Sequence, residues 1–359
     1  MKSPYLKSAS LLAVVMVSAP VVADTDLTDV TAAVPVGYGA ATTGGGSKAA
    51  VSVASMAAMQ AAIDAYDGTS GLVLTYTGVF NFASITDVCA QWTKAAQIVQ
   101  IKKKNNITIT GANGSSANFG IHVAGPSSNV IVRNMTIGLL PGGEDADSIS
   151  LEGMSSGIPA NIWIDHNTIF ASLTECPGAG DASFDGGIDI KKGVNHVTVS
   201  YNYIHDYQKV ALNGFSDSDT GNSAARTTYH HNRFENVKSR LPLQRFGLTH
   251  IYNNYFKNVS TSGINVRMGG NSLIESNVFE NVKNPVTSRD SSAIGFWDLR
   301  NNLTSGITWD AGSAGTVNAT TFMTTKAFGA PGYTYALTPV GSVVSNVLAT
   351  AGAGTNLAQ

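Results

Sequence analysis

Acidic and basic side chains in the middle of the chain have the types and the spacing to form a metal and polyanion site. Carboxylates gather between residues 144 and 189, and cations follow between residues 191 and 245. A group of carboxylates offers only oxygen ligands, which suits Ca²⁺, a hard cation that takes roughly six to eight of them. The candidate calcium ligands are Asp145, Asp147, Asp185 and Asp189. Lysine and arginine side chains beside them would bind a carboxylate-bearing polymer, with arginine able to grip a carboxylate bidentately. The cations in question are Lys191, Lys209, Arg240 and Arg245.

An internal repeat predicts the elements that must position these residues. An apolar residue is followed three positions later by Asn, and two positions after that by Ile or Phe. The repeated residues are Asn167, Asn202, Asn232, Asn254 and Asn277, at spacings of 35, 30, 22 and 23. Each unit contains short alternating apolar and polar runs broken by Gly or Asn, which indicates one coil of a parallel β-helix. We expect each Asn at a turn, where its amide satisfies the backbone of neighbouring coils and where left-handed geometry is tolerated.

Two other repeat architectures have comparable periods. A leucine-rich horseshoe would need a Leu-x-x-Leu-x-Leu register, which the repeat lacks. A propeller would need repeats of about 40 residues or more with Trp-Asp signatures. The predicted fold is therefore an all-β parallel β-helix, with long loops at residues 176–184 and 215–225 forming a substrate cleft.

A second series of short strands predicts which charged residues share a face. We align their apolar pairs toward the core, because side chains alternate between the two faces of a strand. The aligned pairs are Ile149 with Leu151, Ile188 with Ile190, Val210 with Leu212, Leu241 with Leu243, and Ile264 with Val266. The outward positions then hold Asp189, Lys191, Lys209, Arg240 and Arg267, on coils stacked about 4.8 Å apart. These residues are predicted to form one charged strip on one outer sheet.

The two ends of the chain carry different signals. Residues 1–23 have a charged start, an apolar middle and a small-residue cleavage site, which is typical of a secretory signal peptide. Residues 24–359 are then expected to form one exported, monomeric domain. Met56, Met59, Ile63 and Tyr66 recur at helical spacing and predict an amphipathic helix that caps the N-terminal end of the solenoid. After about residue 302 the repeat is lost, and we expect loops over the outside and the C-terminal end.

Composition and charge exclude several classes of protein. With 43% hydrophobic and 13% charged residues, the chain is neither disordered nor a disulfide scaffold. Removing residues 1–23 removes two lysines and no acid, so the mature charge is 20 minus 24, or −4, which argues against nucleic acid as a partner. The N-terminal apolar run is too short for a membrane span. The two cysteines, Cys89 and Cys176, are expected to pair in an oxidising compartment, with two separate buried thiols as the alternative.

Several segments together resemble the bacterial extracellular pectate lyases, which have a right-handed parallel β-helix. The resemblance covers residues 51–302 and is densest at residues 140–143, 161–167, 189–191, 197–202 and 240–245. It implies a secreted enzyme that cleaves α-1,4-linked polygalacturonate by β-elimination and leaves 4,5-unsaturated ends. Ca²⁺ would bridge the protein and the uronates of the substrate.

The resemblance also implies roles for individual residues. Asp145, Asp147, Asp185 and Asp189 correspond to calcium ligands, Lys191, Lys209 and Arg245 to substrate-binding residues, and Arg240 to the catalytic base. Arginine is an unusual base because a guanidinium normally stays protonated, so the role requires nearby cations and alkaline pH. Two positions depart from the family pattern, since Asp185 replaces a Glu and Ala146 stands within a usual Asp-Gly-Asp. The segment from Trp163 to His166 lies on the other series of strands and is expected to be structural.

Three other functions remain to be distinguished. A hydrolase on the same fold would need two carboxylates placed across the scissile bond, whereas the acids here cluster on one side. A pectin lyase would need no calcium, and its groove would be aromatic rather than charged. A pectin-binding solenoid without catalytic activity would bind the polymer and leave its length unchanged.

Overall fold

A computed structural model describes residues 34–312, 316–319 and 323–355, and the predicted signal peptide lies outside them. In this part of the chain, three long sheets wind around one apolar core. Their strands pair in parallel, apart from one short antiparallel pair between Val286–Ser288 and Val317–Asn318. This arrangement is a parallel β-helix and confirms the predicted fold class.

The strand bounds follow the repeat. In pairing order, the ten-stranded sheet contains Ala50–Val53, Leu72–Tyr76, Ile107–Gly111, Val130–Arg133, Ala160–Asp165, Asn195–Ser200, Arg226–His230, Leu248–Tyr252, Asn271–Glu275 and Phe296–Arg300. The nine-stranded sheet contains Ile98–Lys102, Gly120–Ala124, Ile149–Glu152, Gly186–Lys191, Lys209–Asn213, Leu243–Arg245, Ile264–Arg267, Val286–Ser288 and Val317–Asn318. The seven-stranded sheet contains Thr136–Gly138, Thr168–Phe170, Tyr203–His205, Arg233–Val237, Tyr255–Val259, Val278–Val282 and Leu303–Ser305.

The repeated asparagines form a buried ladder between the ten-stranded and the seven-stranded sheets. From Asn202 to Asn277, each side-chain oxygen accepts hydrogen bonds from the backbone N–H and the side-chain amide of the Asn one coil earlier, at 2.9–3.0 Å. The ladder continues to Asn302, which the repeat analysis had not included. Left-handed backbone occurs one residue before each Asn, for example at His231 (φ 53°) and Asn253 (φ 52°), rather than at the ladder Asn itself.

The pairing of the nine-stranded sheet differs from the sequence alignment at two junctions. Ile188 pairs with Ala211 rather than Val210, and Leu243 pairs with Asn265 rather than Val266. Val210 and Ala211 both belong to the core, so strict alternation fails in that strand. Leu212 and Leu243, predicted to point inward, are buried but lie outside the core clusters. A shift of one residue changes the face of every side chain that follows, which explains the error.

Two helices accompany the solenoid. The predicted capping helix is α1, Met56–Ala65, which begins at Ser55, where the side chain accepts a hydrogen bond from the Ala58 N–H at 3.1 Å. It buries Met59 and Ile63 over the first coils. A second helix, α2, spans Val343–Thr350 and was not predicted. It packs Val343 and Val347 against Tyr255.

The C-terminal segment first covers the C-terminal end of the solenoid, where Val317–Asn318 pairs with Val286–Ser288, and then runs backward along the outside. Its backbone N–H groups donate to Trp297 from Thr325, to Tyr201 from Gly352, and to the side chain of Asn134 from Gly354. These partners move from a late coil to an early one. The segment therefore ties together coils that are distant in sequence.

The cysteines form the predicted disulfide, with Cα atoms of Cys89 and Cys176 5.4 Å apart. It connects the 3₁₀ turn Val88–Ala90 to the loop after Phe170, and the two cysteines are 87 residues apart in the sequence. Neither helix in the described ranges is long and apolar enough to cross a bilayer.

Candidate active site and metal centre

Three carboxylates converge on the outer face of the nine-stranded sheet. Asp147 precedes the strand Ile149–Glu152, while Asp185 and Asp189 belong to the start and middle of the next coil. One oxygen of each lies within 4.8 Å of the others. Asp147 and Asp189 are buried. We call these three residues the acidic centre.

The acidic centre has properties that a bound cation would satisfy. Oδ1 of Asp189 is buried and has no hydrogen-bond partner among the residues that the structure describes. Burial, together with the nearby charge of Asp147, raises the pKa of Asp189 and that of Asp185 above the ordinary range. A raised carboxyl pKa means that the ionised form lacks stabilisation. An oxygen-only donor set with this deficit fits Ca²⁺.

Gly186 keeps the space between two of these carboxylates open. A Cβ at this position would lie 2.1 Å from Oδ1 of Asp189 and 2.8 Å from Oδ1 of Asp147. The backbone N–H of Gly186 also donates to Oδ1 of Asp147 at 3.0 Å. Any larger residue would therefore push apart the oxygens that the backbone holds in place.

Two lysines lie directly against the acidic centre. Nζ of Lys191 is 2.6 Å from Oδ2 of Asp147 and 3.3 Å from Oδ2 of Asp189, and Nζ of Lys209 is 2.8 Å from Oδ1 of Asp185. Burial alone would lower the pKa of Lys191, but the carboxylates of Asp189 and Asp147 raise it above its usual value. Lys191 is therefore held as a cation beside the acidic centre.

The structure does not bring Asp145 into the acidic centre. Asp145 ends the 3₁₀ turn Gly143–Asp145 and is exposed, whereas the methyl group of the following Ala146 is buried in the core. Anchoring Ala146 directs the chain inward at Asp147 and leaves Asp145 at the surface. Its carboxylate lines a separate cavity of about 140 Å³, which Asp147 and Lys191 also border.

A bulge places Arg240 at the edge of the acidic centre. Lys209 is bridged to Ser239, and three residues later Leu212 pairs with Leu243. The segment from Ser239 to Leu243 therefore contains one residue more than the segment from Lys209 to Leu212 that it faces. Arg240 lies within this bulge and has a left-handed backbone, with φ 67°. Bulges of this kind redirect side chains and are frequent beside active sites.

The guanidinium of Arg240 makes no hydrogen bond or salt bridge with the residues described. It lines a cavity of about 330 Å³ with Asp185, Asp189 and Lys191, and with Phe215 from the loop after Asn213. The predicted strip residues Asp189, Lys191 and Arg240 are thus brought together. The cavity is open to a substrate on the sheet face.

Arg245 is fixed by the neighbouring loop. Its Nε donates to Oδ1 of Asp217 at 2.7 Å, and its Nη1 donates to the carbonyl of Gly214 at 3.0 Å. One coil further, Arg267 pairs directly with Arg245 in the sheet. Burial and the charge of Arg245 lower the pKa of Arg267 to about 10.

Sequence reasoning assigned no role to Glu152, which also lines this cavity. Glu152 accepts a hydrogen bond from Lys192 at 2.6 Å and lies 3.3 Å from Nε2 of His122. The alternation from Ile149 to Glu152 carried a signal for it, because it places Glu152 on the face that Lys191 shares. Phe215 begins the loop 215–225, which was predicted to form part of the cleft, and it does line this cavity.

The segment from Trp163 to His166 lies on the ten-stranded sheet, away from the acidic centre, as expected. Asp165 is fully buried and bonds Arg133, His166 and Ser200 at 2.7–3.1 Å. Trp163 donates to Ser200 at 2.8 Å. These contacts connect stacked coils and account for the segment as a structural one.

Comparisons with known proteins agree with this geometry. The family model described as pectate lyase matches residues 6–356. Pectate lyase 2 of Pectobacterium carotovorum is 48% identical over 309 residues, covering 81% of this chain and 80% of that protein. The solved structure of pectate lyase II from Xanthomonas campestris has a TM-score of 0.89 and 70% identity, covering 90% of this chain and all of that one. The structure of pectate lyase C from Erwinia chrysanthemi has a TM-score of 0.83 and 42% identity, covering 90% of this chain and 97% of that one. The chain belongs to the pectate lyase family, and is a polysaccharide lyase with the right-handed parallel β-helix fold.

Proposed function

We propose that this chain cleaves α-1,4-linked polygalacturonate by calcium-dependent β-elimination. The observation that carries the proposal is the free guanidinium of Arg240, which lies in one cavity with two carboxylates of the acidic centre and with Lys191. Among the relatives, pectate lyase C has been solved with Ca²⁺, and a variant of it has been solved in complex with pentagalacturonic acid. Both ligands suit the charges found here.

In this proposal the acidic centre, Asp147, Asp185 and Asp189, holds Ca²⁺. Calcium bound there would neutralise a uronate carboxylate and make the neighbouring C5 proton more acidic. Asp145 is not assigned to this ligand set, because its exposed carboxylate lies outside the group. Oδ1 of Asp147 is preorganised by the hydrogen bond from the Gly186 N–H.

Lys191, Lys209 and Arg245 bind and orient the uronates. All three are partly or fully buried, so their charges act in surroundings of low dielectric, where they stabilise developing negative charge more than in water. Asp217 holds Arg245 at a fixed position on the sheet edge. The polymer would therefore lie along the strip of cations.

Arg240 acts as the base. Deprotonated, its guanidinium takes the proton from C5, the C4–O bond breaks, and a double bond forms between C4 and C5. The departing oxygen takes a proton from solvent. Alkaline pH favours this step, because it raises the deprotonated fraction of any base.

The test measures the ultraviolet absorbance of unsaturated uronide ends released from polygalacturonate at alkaline pH, with added Ca²⁺ and with excess chelator. We expect absorbance to rise with calcium and to stop rising with the chelator. Chain shortening without absorbance would mean hydrolysis. No shortening in either condition would mean a binding protein without catalytic activity.

The role of Arg240 has its own test. Arg240→Lys keeps a positive charge but changes the base, so turnover should fall by about 10²–10⁴-fold, the usual contribution of general base catalysis. Calcium-dependent binding of polygalacturonate, measured by calorimetry, should stay within about threefold. Retained turnover would assign the base to another residue without removing the evidence for elimination.

We also propose that the chain is exported as a monomer, with residues 24–359 as the mature domain. The leader-like sequence of residues 1–23 and the disulfide between Cys89 and Cys176 support export. Mass spectrometry of the secreted protein should give an N-terminus at Asp24. Light scattering should give the mass of one chain.

A further inference from the structure

A second and larger cavity lies outside the groove, at the corner between two sheets. Its volume is about 430 Å³, within the range of roughly 300–1,000 Å³ typical of small-molecule sites. Phe246 and Gly247 form its edge directly after the groove residue Arg245, and residues 326–331 of the C-terminal segment form the opposite wall. We call it the corner cavity.

The corner cavity is lined by two cations and, among the described lining residues, by no carboxylate. The guanidinium of Arg226 donates from Nη1 to the carbonyl of Ala225 at 2.9 Å, and Nζ of Lys326 lies 3.3 Å from Oδ1 of Asn271. Within the described ranges, neither cation forms a salt bridge. Two uncompensated positive charges facing one cavity select an anionic ligand.

The walls of the corner cavity are aromatic. Tyr38, Phe246 and Phe328 line it, and Nζ of Lys326 lies 5.6 Å from the ring centroid of Phe328. The hydroxyl of Tyr38 is buried without a hydrogen-bond partner in the described structure. Flat apolar faces suit the C–H face of a sugar ring, and an unpaired hydroxyl suits a sugar hydroxyl. A bare inorganic anion would use the charges only.

We propose that the corner cavity binds one uronate unit of an acidic polysaccharide, separately from the catalytic groove. Arg226 has the fork geometry to hold the carboxylate bidentately, with Lys326 as a second charge. The sugar ring lies between the aromatic walls. A second attachment point near the groove raises the effective concentration of polymer there. The site does not depend on the roles assigned to Arg240 or the acidic centre.

The test measures trigalacturonate binding by calorimetry in excess chelator, where calcium-dependent binding in the groove is absent. We expect one binding event in the wild type and in Arg240→Lys. The double variant Arg226→Gln/Lys326→Gln should weaken it by about tenfold or more, and Tyr38→Phe by about two- to tenfold. Lys48→Gln, which removes an exposed charge elsewhere, should leave it unchanged.

Three outcomes would overturn the proposal. The first is the absence of calcium-independent binding in the wild type. The second is unchanged binding in the double variant, and the third is sulfate that binds the site as tightly as trigalacturonate does. The third would mean a general anion site. Circular dichroism checks that each variant is folded, and the absorbance assay for elimination is scored separately, so failure of either proposal is recognised on its own.

Discussion

At the acidic centre, Asp189 contributes a buried oxygen that has no partner in the described structure, whereas Asp145 is exposed and outside the group. Asp189→Asn should therefore lower calcium affinity by at least about tenfold, since even removal of a residue behind a metal ligand costs about 10–100-fold. Asp145→Asn should change it by less than about threefold. Calorimetric calcium titration without substrate measures both. Equal losses would place Asp145 in the ligand set.

Gly186 is the second residue on which the calcium proposal can be tested. Because a Cβ there would overlap Oδ1 of Asp189, Gly186→Ala should weaken calcium binding while leaving the charge of the site unchanged. Activity should recover partly at high calcium concentration. Gly341→Ala, where an added Cβ meets nothing within 4 Å, is the matched control. An unchanged calcium affinity in Gly186→Ala would show that the carboxylates move apart freely.

Sequence reasoning found most of these residues because their chemistry is visible in their types. Asp147, Asp185, Asp189, Lys191 and Arg240 do lie together, as the predicted strip required. Asp145 was assigned to the same site from the family motif and from its place on the same coil as Asp147, but the burial of Ala146 between them is a packing fact that neither contains. The free guanidinium of Arg240 likewise depends on a β-bulge, and a periodic sequence pattern does not predict where a bulge occurs.

The asparagine ladder is the element whose sequence signal was strongest and whose structure is most regular. Asn232 is fully buried, donates to the carbonyl of Val199 and to Asn254, and accepts two hydrogen bonds from Asn202. Every coil needs the same bonds at the same turn, so the residue repeats. This is why a repeat of one amino acid could identify the fold.

Removing one member should be costly. Asn232→Ala leaves several buried groups without partners, each worth about 1–3 kcal/mol, so we expect a loss of about 2–5 kcal/mol in unfolding free energy. Asn302→Ala, at the partly exposed end of the ladder, should cost about half as much or less. Denaturant unfolding of both variants in chelator measures the difference. Equal costs would mean that the ladder contributes no cooperative network.

The sequence did not reveal the pairing register between neighbouring strands. Alternation fixes the face of each side chain only while each strand advances one residue per partner residue. Consecutive core residues Val210 and Ala211, and the extra residue beside Arg240, break that condition. Both breaks occur in the sheet that carries the acidic centre, where an irregular backbone positions the charged side chains.

Over the whole molecule, residues 37–39 and 333–338 cover the same outer face of the ten-stranded sheet. The backbone N–H of Gly39 donates to Thr198 at 3.0 Å, and Tyr333 lies 2.9 Å from the hydroxyl of Thr228. Thr338 exchanges backbone hydrogen bonds with the side chain of Asn253. The sequence predicted outer loops but not this path, because neither end repeats the pattern of the coils that it contacts.

Beneath these segments lie buried histidines with lowered pKa values. Burial, with the nearby charge of His166, lowers the pKa of His231 to about 3, and burial with His231 lowers the pKa of His230 well below its ordinary value. Burial also lowers the pKa of His250, although Glu275 opposes it. In the unfolded chain these groups bind protons below about pH 6.5. The unfolded state then binds more protons than the folded one.

Stability should therefore be complete above about pH 6.5 and fall as the pH drops toward the lowered values. His231→Asn tests the cause, because Asn253 occupies the equivalent left-handed position one coil later and bonds the same Thr338. In this variant the unfolded and folded states should differ by about one bound proton fewer than in the wild type. Its unfolding free energy should therefore fall less steeply between pH 6.5 and 5, by about 1.4 kcal/mol per pH unit. His196→Asn, an exposed histidine with the same backbone conformation, should keep the wild-type slope. If denaturant unfolding in chelator gives both variants that slope, acid sensitivity comes from elsewhere in the molecule.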